Sequence, residues 1–222
     1  MGRISDAKAR LVAVAEELIR ERSYGAVGVD AICRQARVNK GSFYYFFPTK
    51  ADLAVAVLEY TWEGFRTKAL EPAFRANVPP LERLARLFRS SYERQRQNKS
   101  RSGYVSGCLF GSLGCELSSQ DEKIRKKIVE IMTRFETYFS QTLTAAKEAG
   151  QIAGNDLPGK VKALVAYMEG MQLQAKISND AEVLRELTPH IYRLIEARQP
   201  PVSAARRVVP GTSQAIYEKK RT

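Results

Sequence analysis

The ten residues Val38-Asn39-Lys40-Gly41-Ser42-Phe43-Tyr44-Tyr45-Phe46-Phe47 constrain this chain more than any other segment. Asn39 is a good helix N-cap, because its side-chain oxygen can accept from a first-turn amide that otherwise has no partner. Phe43, Phe46 and Phe47 recur at helical spacing and anchor one face. The opposite face carries Lys40, Ser42, Tyr44 and Tyr45, one cation and three hydroxyls. An aromatic core cluster alone leaves Lys40 and Tyr44 unexplained. Gly41 leaves the helix start bare, so a bulky partner can come close. A basic first turn, small residues and phenolic hydroxyls suit a helix that enters a DNA groove and touches phosphates.

The flanks fit the same reading. From Ser5 to Arg22, residues Leu11, Val14, Ala15, Leu18 and Ile19 are spaced for one helix face, and Ser23-Tyr24-Gly25 ends it. Val29 to Ala36 forms a second, short helix with Val29, Ile32 and Ala36 inward, and Arg37-Val38 turns into the third. Two short helices around a tight turn, on a supporting first helix, make a helix-turn-helix. Thr49 and Asp52 after Pro48 read as an N-cap and an acidic third position, close to a capping box, and a longer helix runs on to about Leu70.

The run Val29-Asp30-Ala31-Ile32-Cys33-Arg34-Gln35-Ala36-Arg37-Val38-Asn39-Lys40-Gly41-Ser42-Phe43-Tyr44-Tyr45-Phe46-Phe47-Pro48-Thr49-Lys50 resembles the DNA-reading segment of the tetracycline-repressor (TetR) family of bacterial regulators. The likeness covers roughly residues 5–60 without gaps. It implies that Lys40, Gly41, Ser42 and Tyr45 approach bases, while Tyr44 and Lys50 grip the phosphate backbone. Three positions depart from the pattern. Cys33 replaces an alanine, Arg37 replaces the turn glycine, and Phe46 replaces a phosphate-reaching tyrosine or histidine. Arg37 is expected either in a left-handed conformation at modest cost or in a slightly altered turn.

Composition bounds the rest. A chain of 222 residues can bury a sizeable core. No run of 18 apolar residues exists, so no transmembrane helix is expected, and the start lacks an apolar signal segment, so a cytoplasmic protein is expected. The net charge of +12 favours polyanions. Its distribution says more: residues 1–50 carry +4, residues 51–197 only +3, and residues 198–222 carry +5. A near-neutral middle argues against a protein that merely coats DNA. The expected division is a helix-turn-helix domain at 1–48, a helical ligand-sensing and dimerisation domain at 49–198, and a basic, flexible tail at 199–222. That tail holds Arg206-Arg207 and Lys219-Lys220-Arg221 and could hold DNA nonspecifically. Three cysteines and one histidine give neither a disulfide framework nor a zinc site, and no cofactor is called for.

Long 3.6-residue periodicities fill the second half, with Pro72 and Pro79-Pro80 as breaks. Ser119-Gln120-Asp121-Glu122 reads as a capping box opening a helix that Gly150 ends. Pro158 opens another, Ser178-Asn179-Asp180 interrupts it, and a last helix follows. The sum is an all-α fold of about nine helices. The resemblance implies that the final two helices pair across a two-fold axis, with Met168, Met171, Leu187, Ile191 and Leu194 as dimer residues. A symmetric homodimer then presents two reading helices to a palindromic operator in double-stranded DNA.

Gly107, Gly111 and Gly114 stand at i, i+4 and i+7, one face if a single helix holds them. Each interior glycine costs about 1 kcal/mol against alanine, so the trio implies close helix packing or room for a ligand. Cys108 and Cys115 are seven residues apart, about 10.5 Å of rise on one helix. That exceeds the roughly 7 Å Cα separation a disulfide tolerates. Ser106 as a cap would place Cys108 in a first turn, where the helix dipole favours thiolate, whereas Cys115 is expected to pack as a small hydrophobe. Ser106-Gly107-Cys108-Leu109 with Leu173-Gln174-Ala175-Lys176-Ile177-Ser178 resembles the N-ethylmaleimide-responsive branch of TetR repressors. That likeness implies Cys108 as sensor thiol and Lys176 as its cationic neighbour. The leading expectation is a dimeric repressor released by a small-molecule or electrophilic inducer. A noncovalent metabolite held against the glycine face, with inert cysteines, is the alternative. A helical thiol enzyme would need a base beside Cys108, and His190, the only histidine, lies in the last helix.

Overall fold

The computed structural model describes residues 2–198. The basic tail lies outside the described residues, and so does its expected contact with DNA. Helix α1 (Gly2–Arg22) buries Leu11, Val12, Ala15, Leu18 and Ile19. Against it pack α2 (Val29–Ala36) and α3 (Lys40–Phe46). Between those two, Arg37 adopts φ 53° and ψ 47°. The turn thus keeps the left-handed geometry with an arginine where glycine is usual, and the Val38 amide donates back to Cys33 O at 3.0 Å. Asn39 caps α3, its Oδ1 accepting from the Ser42 amide at 2.7 Å.

Helix α4 (Lys50–Phe65) opens with the expected capping box, Thr49 and Asp52 each satisfying the other's backbone amide. It continues through a π-helical turn, Arg66–Leu70, and a final turn, Glu71–Ala73. The Thr67 hydroxyl donates to Glu63 O at 2.8 Å there, and Pro72 brings no amide to sustain the ladder. Then follow α5 (Pro80–Ser102), α6 (Leu109–Leu117), α7 (Glu122–Glu148) and α8 (Leu157–Ile177). A 3-10 segment, Ala181–Glu186, leads into α9 (Leu187–Leu194), where one continuous helix was expected. The described residues are all-helical apart from an isolated antiparallel bridge between Ile152 and Ala197. None of their helices is long and apolar enough to cross a membrane.

The cap of α7 corrects the sequence reading. Asp121, not Ser119, accepts from the Ile124 amide, at 3.0 Å. Residues 118–120 still turn out of α6, so the chain becomes extended only at Asp121.

Helices α4 and α7 carry the centre of the core. Trp62 meets the Phe135 ring edge-on at 5.1 Å between centroids, and Phe135 continues to Phe110 and Phe139. Arg134 adds a salt bridge to Glu59 at 2.7 Å across the same two helices. One buried polar cluster fixes the loop before α6. The Gln95 amide donates to Gly107 O at 2.8 Å, and its oxygen accepts from the Ser106 and Gly107 amides. With Gln95 only 1% exposed, nothing else can take those bonds. Gln95→Leu should therefore destabilise the fold by roughly 2–3 kcal/mol, the cost of orphaned buried backbone groups. Urea unfolding followed by helical circular dichroism measures it; an unchanged midpoint would show the loop finding other partners.

Candidate DNA-reading surface and effector cavity

Helix α3 sends Phe43 and Phe47 into the core and turns its other face to solvent. Lys40 and Gly41 are exposed, Ser42 is half-buried, and Tyr44 and Tyr45 stand 52% and 77% exposed. Tyr44 and Tyr45 each lean edge-on against a neighbouring phenylalanine, Phe43 and Phe46, yet leave most of their surface open. Phe46 packs partly against the core instead of reaching outward. The Lys40 ammonium lies 2.6 Å from Asp30, whose carboxylate accepts its hydrogen bond and holds it firmly charged. Both groups are open to water, so a phosphate can replace Asp30 at little cost.

Lys50 is placed differently from the expectation. Its ammonium donates to Tyr24 O at 2.5 Å and stands 3.9 Å from the Tyr24 ring centroid. Desolvation pulls its affinity for the proton down, opposed by nearby Glu116. Lys50 thus fastens α4 to the turn between α1 and α2. Glu116 on α6 holds that turn from the other side: its carboxylate accepts from the Tyr24 amide at 3.2 Å and the Gly25 amide at 2.7 Å.

A cavity of about 570 Å³ opens beside this junction. Its walls are the end of α1 (Ile19 to Ser23), α6 and the second half of α8. Cys108, Gly111 and Lys176 line it, so three of the four residues expected for sensing converge. Gly107 lies outside the helix, at φ +68°, so the three glycines do not share one helical face. It is needed because Lys176 Cδ would meet a Cβ there at 3.2 Å.

The charge arrangement corrects the sensor reading. Lys176 is exposed, and its ammonium donates to Ser112 Oγ at 3.1 Å. The groups acting on the Cys108 thiol are others. Burial pushes it up to about 12, and the negative charge of Glu169 adds to this. The Gly111 amide and the Arg94 guanidinium oppose only in part. Cys108 itself is the N-cap residue of α6, while Ser106 is drawn away to Gln95 and Asn98. The resting thiol is therefore protonated at neutral pH. Cys115 is exposed at the cavity edge and does not pack as a hydrophobe; its position on α6 turns it from the core.

Sequence reasoning missed Glu169 and Glu116. Glu169 is half-buried, and its carboxyl is raised by burial against the pull of the Cys108 thiol and Arg94. Gly111 makes room for it, since a Cβ there would lie 2.5 Å from Glu169 Oε2. The available signal was spacing: Glu169 and Gln172 share a helical stripe with Lys176 inside an otherwise apolar run. The expected dimer residues also need correction. Leu187 and Ile191 are 0% exposed and Met168 7%, so they fill the protomer's own core and cannot face a partner. Met171 is half-buried, and Leu194 remains 40% exposed.

Residues 11–57 match the domain family described as "Bacterial regulatory proteins, tetR family", and residues 80–191 match "Tetracyclin repressor-like, C-terminal domain". The chain is 32% identical to the transcriptional regulator AcuR of Cereibacter sphaeroides over 180 residues, 80% of each chain. It is 27% identical to the HTH-type transcriptional repressor NemR of Escherichia coli strain K12 over 192 residues, 86% of this chain and 94% of that one. The crystal structure of the reduced form of E. coli NemR superposes with a TM-score of 0.74, at 27% identity, over 89% of this chain and all of that one. A regulatory protein TetR from Rhodobacter sphaeroides gives 0.74 at 29% identity, over 85% of this chain and 98% of that one. The exposed reading helix and the helical second half thus belong together, and the chain is a member of the TetR family of DNA-binding transcriptional regulators.

Proposed function

We propose that this regulator is a homodimeric repressor of a palindromic operator, released when an effector fills the cavity between α1, α6 and α8. The observation that carries this reading is the shared wall. Helix α1 is at once the scaffold of the reading helix and one side of the cavity. An occupant that spreads α6 from α1 moves the turn that Glu116 and Lys50 hold. That turn leads directly into α2 and α3. The two states then differ in operator affinity because the effector binds one of them better. Residues 1–48 serve as reader and 49–198 as sensor and dimer element. A homologous structure described as a reduced form fits a cavity whose wall includes a thiol. The effector is accordingly a small, mainly apolar molecule that includes an electrophilic group; a purely noncovalent occupant of the same cavity is the second reading.

On the operator, Lys40, Gly41, Ser42 and Tyr45 approach the bases and Tyr44 the backbone. Lys50 is left out of the contact set. The operator is obtained by selecting bound duplexes from a random pool. Lys40→Ala should weaken binding by about 1–3 kcal/mol and Tyr44→Phe by about 1 kcal/mol, with folding unchanged. Mobility shifts at several salt concentrations check this. Equal affinity of both variants and wild type would move the reading surface off α3.

The dimer face combines the outer sides of α8 and α9. Ala166 and Leu194 are exposed there, beside the Tyr167 hydroxyl bonded to His190 Nδ1 at 2.7 Å. Ala166→Arg and Leu194→Arg should each yield folded monomers with operator affinity reduced at least about tenfold, since one reading helix is lost. Sedimentation velocity showing intact dimers in both variants would exclude this face.

A further inference from the structure

The cavity wall holds a nucleophile and an acid-base group side by side, and the function above uses only the first. Cys108 and Glu169 both line the cavity and meet at Gly111, and the negative charge of Glu169 acts on the thiol. Gly111 is the residue that permits the pairing. A side chain there would collide with Glu169 Oε2 at 2.5 Å, whereas its own position is an ordinary 3.8 Å from Cys108 Cβ. Lys176, the cation expected to activate the thiol, is turned to Ser112.

We propose that Glu169 is the proton acceptor through which Cys108 adds to an α,β-unsaturated carbonyl compound held in the cavity. The inference rests on the reading of Cys108 as the reactive thiol. As sulfur forms its bond to the β-carbon, the thiol proton passes to the Glu169 carboxylate. The π pair of the alkene moves toward the carbonyl as an enolate. The carboxyl then returns the proton to the α-carbon, so the adduct forms with no net oxidation and Glu169 ends ionised. A thiol whose pKa is pushed up to about 12 is almost wholly un-ionised at neutral pH, so a route through free thiolate is slow. A neighbouring base removes that limit, and a buried carboxyl raised above its ordinary value is a better base than an exposed one. The ordering also confers selectivity. Only an electrophile small enough to enter the cavity and reach the pair reacts.

The test follows N-ethylmaleimide addition to Cys108 by peptide mass spectrometry, in folded full-length protein carrying Cys33→Ser and Cys115→Ser. The expected rate changes little across neutral pH, because the proton leaves through Glu169 and not by prior ionisation of the thiol. Glu169→Gln, nearly the same shape, should be slower by about a hundredfold near pH 7. Its remaining rate should climb about tenfold per pH unit, the signature of free thiolate. Gly111→Ala should behave likewise by displacing the carboxylate, and Lys176→Met should keep the flat pH dependence of the parent protein. The proposal is overturned if Glu169→Gln reacts as fast or faster, since Glu169 would then only repel the thiolate. It is overturned equally if Lys176→Met, and not Glu169→Gln, gives the steep pH dependence. Absence of any Cys108 adduct in the parent protein, beside full modification after unfolding, would remove the reactive-thiol reading itself.

Discussion

Two hydrogen bonds to one carboxylate join the halves of this molecule. Glu116, on the short helix that walls the cavity, receives the Tyr24 and Gly25 amides of the turn that leads into the reading domain. Those amides close α1 and have no helical partner of their own. The opposite side of the same turn is held through the Tyr24 carbonyl and ring by Lys50. A turn gripped from both sides cannot drift with respect to either helix. On the proposed function, a displacement of α6 passes to α2 and α3 and is not lost in a loop.

The cavity is built so that α6 can respond. This helix is short, it carries Gly111 and Gly114, and a carboxylate lies against its first turn. Its apolar side is anchored, with Leu109, Phe110, Leu113 and Leu117 buried and Phe110 against Phe135, so an occupant of the cavity acts on its polar side. The buried Gln95 cluster sets the pivot. It fixes the backbone at Ser106 and Gly107, immediately before the helix proposed to move.

How much of this was legible in the sequence follows from the range of each interaction. The reading helix was legible in full, since its cap, its core face and its exposed face lie within ten residues. Arg37 in its left-handed turn was one of two expected outcomes, fixed by local geometry. The all-helical fold and its near-neutral second half followed from periodicity and charge distribution. What escaped depended on partners distant in the chain. Lys50 looks like a phosphate contact until Tyr24 is seen beside it. Leu187 and Ile191 look like interface residues because periodicity marks an apolar face without saying which neighbour covers it. The cationic neighbour expected for Cys108 proved to be an anion, Glu169, brought by a helix some sixty residues on. Ser119 failed as a cap because the exit of α6 delays the extended backbone to Asp121.

The central claim is that filling the cavity loosens the turn that Glu116 holds. Amide hydrogen exchange at Tyr24 and Gly25 reads it most directly, in wild type, in Glu116→Ala, and in Ser112→Trp, whose indole occupies the cavity permanently. The account predicts that both variants lose protection at these two amides by about tenfold or more, the equivalent of about 1.4 kcal/mol, and bind the operator more weakly. Wild-type protection at Tyr24 and Gly25 in Ser112→Trp, together with weakened operator binding, would contradict it, because the signal would then reach α3 by another route.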